Sequence, residues 1–369
     1  MLNAGYIGLG RMGITHFSIL NGHPHVKNAA VCDQSQTMLK ILNKYTGVSV
    51  FQDYHKMIQE ADLDFVVIST PSASHAAIIK DAVDNDLHTF SEKPLAMSPA
   101  EGNDVLKHVA GKNLVHQVGY VNRFNEVFME VKNLLEAGVI GEIKHFSSEM
   151  YGATLVKDAK SNWRGTKKTG GGCMYEFASH CIDLALYLFG RPDQVKGSVL
   201  LSIYSSEVED LVESTFVYDR GCVGSISVNW SDESFRKPKN IIKIFGKEGR
   251  IVADKHAYKI FLKKEDEARG FHKGWNTRYI TDFAQPVRFY VRGNEFTRQL
   301  DYFVDGILQK RGENISSFNE AYNTDFVMDQ ITKDAAGLEI GSSESNRQKS
   351  KSSDLSGKNV GLWKKMFKS

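Results

Sequence analysis

Gly8-Leu9-Gly10-Arg11-Met12-Gly13 follows directly on the apolar run Ala4-Gly5-Tyr6-Ile7 and opens a helix-like stretch over residues 13–20. In that strand-to-helix setting a GxGxxG run has a mechanical reading. The first glycine permits a tight turn, the second lets backbone approach a pyrophosphate, and the third lets helix and strand pack closely. The helix N-terminus then offers free N–H groups and partial positive charge to phosphates. Gly8, Gly10, Arg11, Met12 and Gly13 are therefore candidate cofactor-binding residues. A phosphate site for some other nucleotide is the competing reading.

Working outward, Ala29-Ala30-Val31-Cys32 and Phe65-Val66-Val67-Ile68 read as two further strands, with helix-like stretches at residues 37–45, 55–60 and 75–85. Strands alternating with helices predict a parallel sheet covered on both faces. Asp33 follows the second strand about twenty residues beyond the glycines, where a carboxylate accepts hydrogen bonds from the adenosine ribose and repels a 2′-phosphate. NAD is thus favoured over NADP; the plainer reading is a turn aspartate before Gln34-Ser35.

Ser69-Thr70-Pro71 ends the third strand, with Ser74 and His75 following. Ligands lie at such strand ends in open α/β sheets, although an exit turn with Ser74 as helix cap explains the same residues. In Glu92-Lys93-Pro94, the proline restricts Lys93 to extended geometry. Beside a nicotinamide, burial and nearby positive charge would lower the lysine pKa and suit it to proton exchange; on its own it reads as a surface lysine paired with Glu92.

From residue 143 the β signal dominates, at residues 143–150, 195–203, 212–218, 223–230, 241–245, 250–253 and 258–262. Strands without intervening helices predict an antiparallel sheet. Helices are expected at residues 127–137, 174–189, 299–308 and 321–336, the last two packing back on the body. Within Gly170-Gly171-Gly172-Cys173-Met174-Tyr175-Glu176-Phe177-Ala178-Ser179-His180-Cys181-Ile182-Asp183, helical spacing places Glu176, His180, Asp183 and Tyr187 on one stripe, with Phe177, Cys181, Leu184 and Leu188 opposing it. A histidine one turn after a carboxylate can be oriented by it and shuttle a proton. A solvated polar face is the ordinary meaning of such a stripe, and no convincing third ligand accompanies a Glu/His metal pair.

The 369 residues suffice for two cores. Net charge is +2, but residues 342–369 carry +5, leaving −3 for the rest. A body that is not basic argues against nucleic-acid binding. Cys32, Cys173, Cys181 and Cys222 form no CxxC pair, and few cysteines in a long chain fit a reducing compartment. With no basic leader and no apolar run of membrane-spanning length, the chain reads as cytoplasmic, without a membrane partner.

These segments in this order resemble the glucose–fructose oxidoreductase/inositol dehydrogenase/MocA family. Gly119-Tyr120-Val121-Asn122-Arg123-Phe124 and Ile244-Phe245-Gly246-Lys247-Glu248-Gly249 add to the likeness, which spans residues 1–336. It implies an α/β chain: a Rossmann domain over residues 1–120 and an α+β substrate and oligomerisation domain with a large open, mainly antiparallel sheet over 121–340; by its composition the remainder, 341–369, is a polar basic tail. It implies a homodimer or homotetramer through that sheet. It also implies a dehydrogenase acting on CH–OH groups of a sugar or polyol, with NAD as cofactor and no metal. Lys93, His180 and Glu176 take the catalytic places. Gly8, Gly10, Arg11, Met12, Gly13, Asp33, Ser69, Thr70, Pro71, His75, Glu92, Lys93, Asn122, Trp163 and Arg164 are expected around the cofactor; Lys93, Tyr120, Arg123, Arg164, Glu176 and His180 are expected around the substrate. One departure is Glu176, where the family usually has aspartate; the segment 269–298 does not align. An NAD-dependent glycoside hydrolase and a non-catalytic regulator remain the alternatives at this point.

Overall fold

The computed structural model describes residues 1–153, 163–312 and 314–337. The first half alternates β1 (Leu2–Ile7), α1 (Arg11–Asn21), β2 (Val26–Cys32), α2 (Gln36–Thr46), β3 (Ser49–Phe51), α3 (Tyr54–Glu60), β4 (Phe65–Ile68), α4 (His75–Asp84), β5 (His88–Ser91), α5 (Pro99–Val109) and β6 (His116–Val118). The strands form one parallel sheet in the order β3-β2-β1-β4-β5-β6. β4 is buried along its whole length, as expected of a strand covered on both faces. Strand order reverses between β1 and β4, which opens a crevice at their carboxyl ends. Helix ends are locally specified: Ser98 accepts from Glu101 N–H while the Glu101 carboxylate accepts from Met97 N–H, with Pro99 in the first turn of α5.

The second half contains α6 (Glu126–Glu136), β7 (Ile143–Tyr151), α7 (Ser179–Phe189), β8 (Gln194–Leu201), β9 (Leu211–Tyr218), β10 (Cys222–Asn229), β11 (Lys239–Gly246), β12 (Gly249–Asp254), β13 (Ala257–Leu262), β14 (Gly274–Tyr279), α8 (Asn294–Leu308) and α9 (Phe318–Gly337). Its eight-stranded sheet runs β14-β13-β12-β11-β7-β10-β9-β8. The chain is therefore α/β, a Rossmann-type sheet followed by a mostly antiparallel one. The expected antiparallel arrangement fails at one place, because β7 and β10 run parallel. Alternating burial in β9 shows one face of this sheet packed into a core, and that core includes α6 and α7.

The late helices join the two halves. Leu300, Phe303 and Val304 of α8 share a core with Ala4, Phe65 and Phe90 of the first sheet. α9 contributes Phe318 and Ala321 to the other face of that sheet, and Val327, Met328 and Ile331 to the second core. Among the described residues no helix is long and apolar enough to cross a membrane.

Candidate active site

The glycine-rich turn has the geometry its sequence predicts. Gly8 adopts φ +92, and a Cβ on Gly13 would lie 1.9 Å from the Gly8 carbonyl oxygen, so strand and helix meet there through bare backbone. A Cβ on Gly10 would meet nothing within 4 Å, which leaves open space above the turn. Gly10 caps α1 without a side-chain hydrogen bond, so the first N–H groups of the helix stay available. Asp33 accepts from Leu9 N–H at 2.6 Å and from Ser35 N–H at 2.7 Å. It is thus a turn aspartate and, at the same time, a carboxylate lining the crevice.

That crevice is part of a single cleft of about 1150 Å³ between the two sheets. Gly8, Gly10, Arg11, Met12, Asp33, Ser69, Thr70, Pro71, Glu92, Lys93, Asn122, Arg164, Glu176 and His180 all line it. The hydroxyl of Ser69 and the carbonyl oxygen of the Asn122 amide are buried without hydrogen-bond partners among the described residues. Together with the open space at Gly10 and the Asp33 carboxylate, these groups fit a dinucleotide with its pyrophosphate at the start of α1.

At the far end Lys93 follows β5, and its peptide to Pro94 is cis. Its ammonium donates to the Tyr175 carbonyl at 2.7 Å and lies 3.5 Å from Glu176 Oε1. Arg164 Nε donates to Glu176 Oε2 at 2.9 Å. Burial alone would raise the Glu176 carboxyl, but Lys93, Arg164 and His180 outweigh it and bring the pKa down to about 2. Glu176 does not hydrogen-bond His180, as an orienting carboxylate would. It stands instead between two cations.

Residues Met174–Ala178 form one π-helical turn ahead of α7, a departure from the continuous α-helix expected over 174–189. Such turns occur disproportionately at functional sites. Here the turn holds Glu176, and His180 sits in the first turn of α7. The His180 ring has no hydrogen-bond partner among the described residues. Burial, then Lys93 and Lys255, push its pKa well below the usual imidazole value, with Glu176 opposing them. Its ring is therefore neutral at neutral pH. Glu92 lines the same end and contacts His16 Nε2 at 2.7 Å. Burial would raise the Glu92 carboxyl, but His16, Lys93 and His75 together hold it below its ordinary value.

Several sequence-based expectations need correction. Arg123 does not reach the cleft: it is buried against Asp183, Glu320 and the Ile315 carbonyl. Asp183, expected beside Glu176 and His180, is occupied by that arginine. Tyr120 is buried in the core of the first sheet. His75 lies beneath the cofactor side, not on it: Nδ1 is 2.8 Å from the Pro94 carbonyl and Nε2 is 3.0 Å from that of Thr70. Burial lowers its pKa, so the neutral ring donates to one of the two carbonyls and spaces the Thr70 and Pro94 segments. Ser74 does not cap α4; its hydroxyl turns back to Thr70 and Pro71. The side chain of Trp163 and the basic tail lie outside the described residues.

Other cleft residues were not anticipated: Met150, Asn240, Lys255, Arg292 and Phe296. Arg292 comes from the unaligned segment and reaches Met12 Sδ at 3.6 Å, beside the glycine-rich turn. Asn240 left no readable trace, because it precedes the stretch 241–245 expected as a strand, and only the structure extends β11 back to Lys239. The described residues contain no cluster suited to a metal.

Residues 2–120 match the model of the oxidoreductase family with an NAD-binding Rossmann fold, and residues 128–252 match the GFO/IDH/MocA C-terminal domain. An uncharacterised Bacillus subtilis oxidoreductase, YrbE, is 27% identical over 68% of this chain and 73% of its own. The myo-inositol 2-dehydrogenase of Thermotoga maritima is 24% identical over 85% of this chain and 89% of its own. The fold also resembles a levoglucosan dehydrogenase solved with NADH and levoglucosan, with a TM-score of 0.80 at 23% identity, covering 91% of this chain and 97% of that one.

Proposed function

The chain belongs to the Gfo/Idh/MocA family of NAD-binding oxidoreductases, and from that premise we propose that it is a dehydrogenase moving a hydride to or from a carbinol carbon of a sugar, sugar derivative or polyol. The observation that carries this reading is the convergence of Lys93, Glu176 and His180 in the same cleft as the GxGxxG turn. Relatives named inositol dehydrogenases support a polyhydroxylated substrate. Residues 1–120 hold the cofactor and residues 121–340 supply the substrate side and the subunit contact.

When bound, the nicotinamide supplies the hydride acceptor or donor. Neutral His180 takes the hydroxyl proton as the carbinol is oxidised and returns it in the reverse direction. The Lys93 ammonium, fixed by the Tyr175 carbonyl and Glu176, stabilises the developing alkoxide and shares the proton. Glu176 holds Lys93 and Arg164 in place and is available to a sugar hydroxyl. Asp33 binds the adenosine ribose and disfavours a 2′-phosphate.

The uncovered face of the second sheet supports a homo-oligomer. Val223, His145, Phe245, Arg250, Phe261 and Trp275 are paired in register across six strands. Val223, Phe245, Phe261 and Trp275 in that row are exposed. A second copy covering this row removes an apolar stripe from water; sedimentation distinguishes monomer, dimer and tetramer.

The test of the activity is reduction of NAD and, separately, NADP against polyols, aldoses, sugar phosphates and nucleotide sugars. NAD reduction with one class, strongly slowed in Lys93→Ala and His180→Ala, is the expected result. Normal turnover by either variant removes its residue from the mechanism, and a preference for NADP overturns the role of Asp33.

A further inference from the structure

β11 buries every second residue, Asn240, Ile242 and Ile244, against the core. The first of these inward places is polar. Asn240 is only 3% exposed and lines the cleft, yet neither its carboxamide nitrogen nor its oxygen has a hydrogen-bond partner among the described residues. Buried amides are paired in the great majority of cases, so one left open at a cleft wall calls for a ligand. Its sheet neighbours are cleft residues too. Asn240 pairs with Met150 of β7, and Lys255 comes one step beyond the Ile241–Asp254 pair of β11 and β12. Met150, Asn240 and Lys255 thus form a row across three adjacent strands where the sheet borders the cleft.

We infer that Asn240 is a specificity-determining residue for a neutral polyhydroxy ring, its carboxamide donating to one ring hydroxyl and accepting from another away from the reacting carbon. This rests on the dehydrogenase reading above. Lys93 and His180 serve the carbinol, so an amide on the opposite sheet takes the remote part of the ring. A carboxamide presents a donor and an acceptor side by side, which matches two neighbouring hydroxyls. The charges around this end favour an uncharged ligand. Lys93 and Arg164 are met by Glu176 at 3.5 Å and 2.9 Å, and Lys255 by Glu295 at 3.6 Å. Glu92 adds a further carboxylate near Lys93. Among the described residues each of these three cations already faces a carboxylate, so a phosphate or uronate carboxylate would compete with Glu176 or Glu295 for it.

The test compares wild type, Asn240→Leu and Asn240→Ser with cyclitols, aldoses, sugar phosphates and uronates. Asn240→Leu is nearly isosteric but lacks donor and acceptor; Asn240→Ser restores a smaller version of both. For the preferred neutral substrate, kcat/KM falls roughly 10- to 100-fold in Asn240→Leu and recovers in part in Asn240→Ser. NADH affinity is unchanged, and Tm does not fall, because the lost amide had no partners. Unchanged kcat/KM in Asn240→Leu overturns the inference. So does a marked drop in Tm, which would assign the amide a structural role. Turnover confined to phosphates or uronates overturns the neutral-ring assignment while the dehydrogenase reading stands. Absence of turnover with every class removes the dehydrogenase reading. The binding site then survives only if millimolar myo-inositol or D-glucose raises Tm of the wild-type NADH complex and not of Asn240→Leu; no such difference overturns it.

Discussion

Arg123 and Asp183 form an ion pair at 2.8 Å with both side chains 1% exposed. Arg123 Nε also donates to both carboxylate oxygens, and Thr324 of α9 lies 3.3 Å from one of them. The pair ties the turn after β6 to α7 and α9. Burial holds the Asp183 carboxyl above its ordinary value even with the arginine present. Arg123→Met therefore strands a buried carboxylate and should cost about 3–5 kcal/mol of stability in urea denaturation. NADH affinity of the folded variant should change little, since Arg123 does not face the cleft. A large loss of NADH binding at unchanged stability would contradict this placement.

The same residue shows where sequence reading stops. Gly119-Tyr120-Val121-Asn122-Arg123-Phe124 is recognisable as a block, yet the short turn Val121–Phe124 divides it: Val121 and Asn122 line the cleft, while Tyr120 and Arg123 turn into the protein. Linear proximity carries no direction. The Rossmann half was legible because strand, glycine turn and helix are contiguous, so local geometry states the site. The parallel pairing of β7 with β10 joins strands about seventy residues apart and leaves no local signature. β14 was missed because its edge position leaves Trp275 and Tyr279 exposed and removes the inward–outward alternation of a buried strand. Asn240 becomes meaningful only once the cleft exists.

The glycines of the phosphate turn should separate by substitution. Gly10→Ala places a methyl in open space at ordinary φ, so Tm should hold while NADH affinity falls. In Gly13→Ala the methyl meets the Gly8 carbonyl at 1.9 Å, so the turn itself must move and Tm should fall as well. Thermal denaturation with and without NADH tests both. Equal Tm losses in the two variants would show that Gly10 is packed rather than open.

Glu176 links the cleft to stability through pH. Its folded pKa of about 2 lies below the ordinary 4.5. A depressed carboxyl stabilises the fold fully above the unfolded pKa and loses that contribution as pH falls toward the folded one. Glu176→Gln should therefore be less stable than wild type by about 3 kcal/mol at neutral pH. The gap should narrow between pH 4.5 and about 2. A gap independent of pH would mean that the lost contribution is packing rather than charge.

His180 makes the corresponding statement about rate. Burial, Lys93 and Lys255 lower its pKa well below 6.5, so the ring is already a free base at neutrality. For alcohol oxidation the reactive form disappears only when the ring is protonated. The kcat/KM profile should thus be flat through neutral pH and fall on the acid side, below 6.5. Removing the Lys255 charge in Lys255→Met withdraws one of the groups that disfavour the imidazolium, and the acid limb should move to higher pH. Glu176→Gln removes the carboxylate that favours it, and the limb should move lower. His180→Ala should slow turnover by roughly 10²- to 10⁴-fold and erase the limb. A limb that persists in His180→Ala would belong to another group and would leave His180 without its role as base.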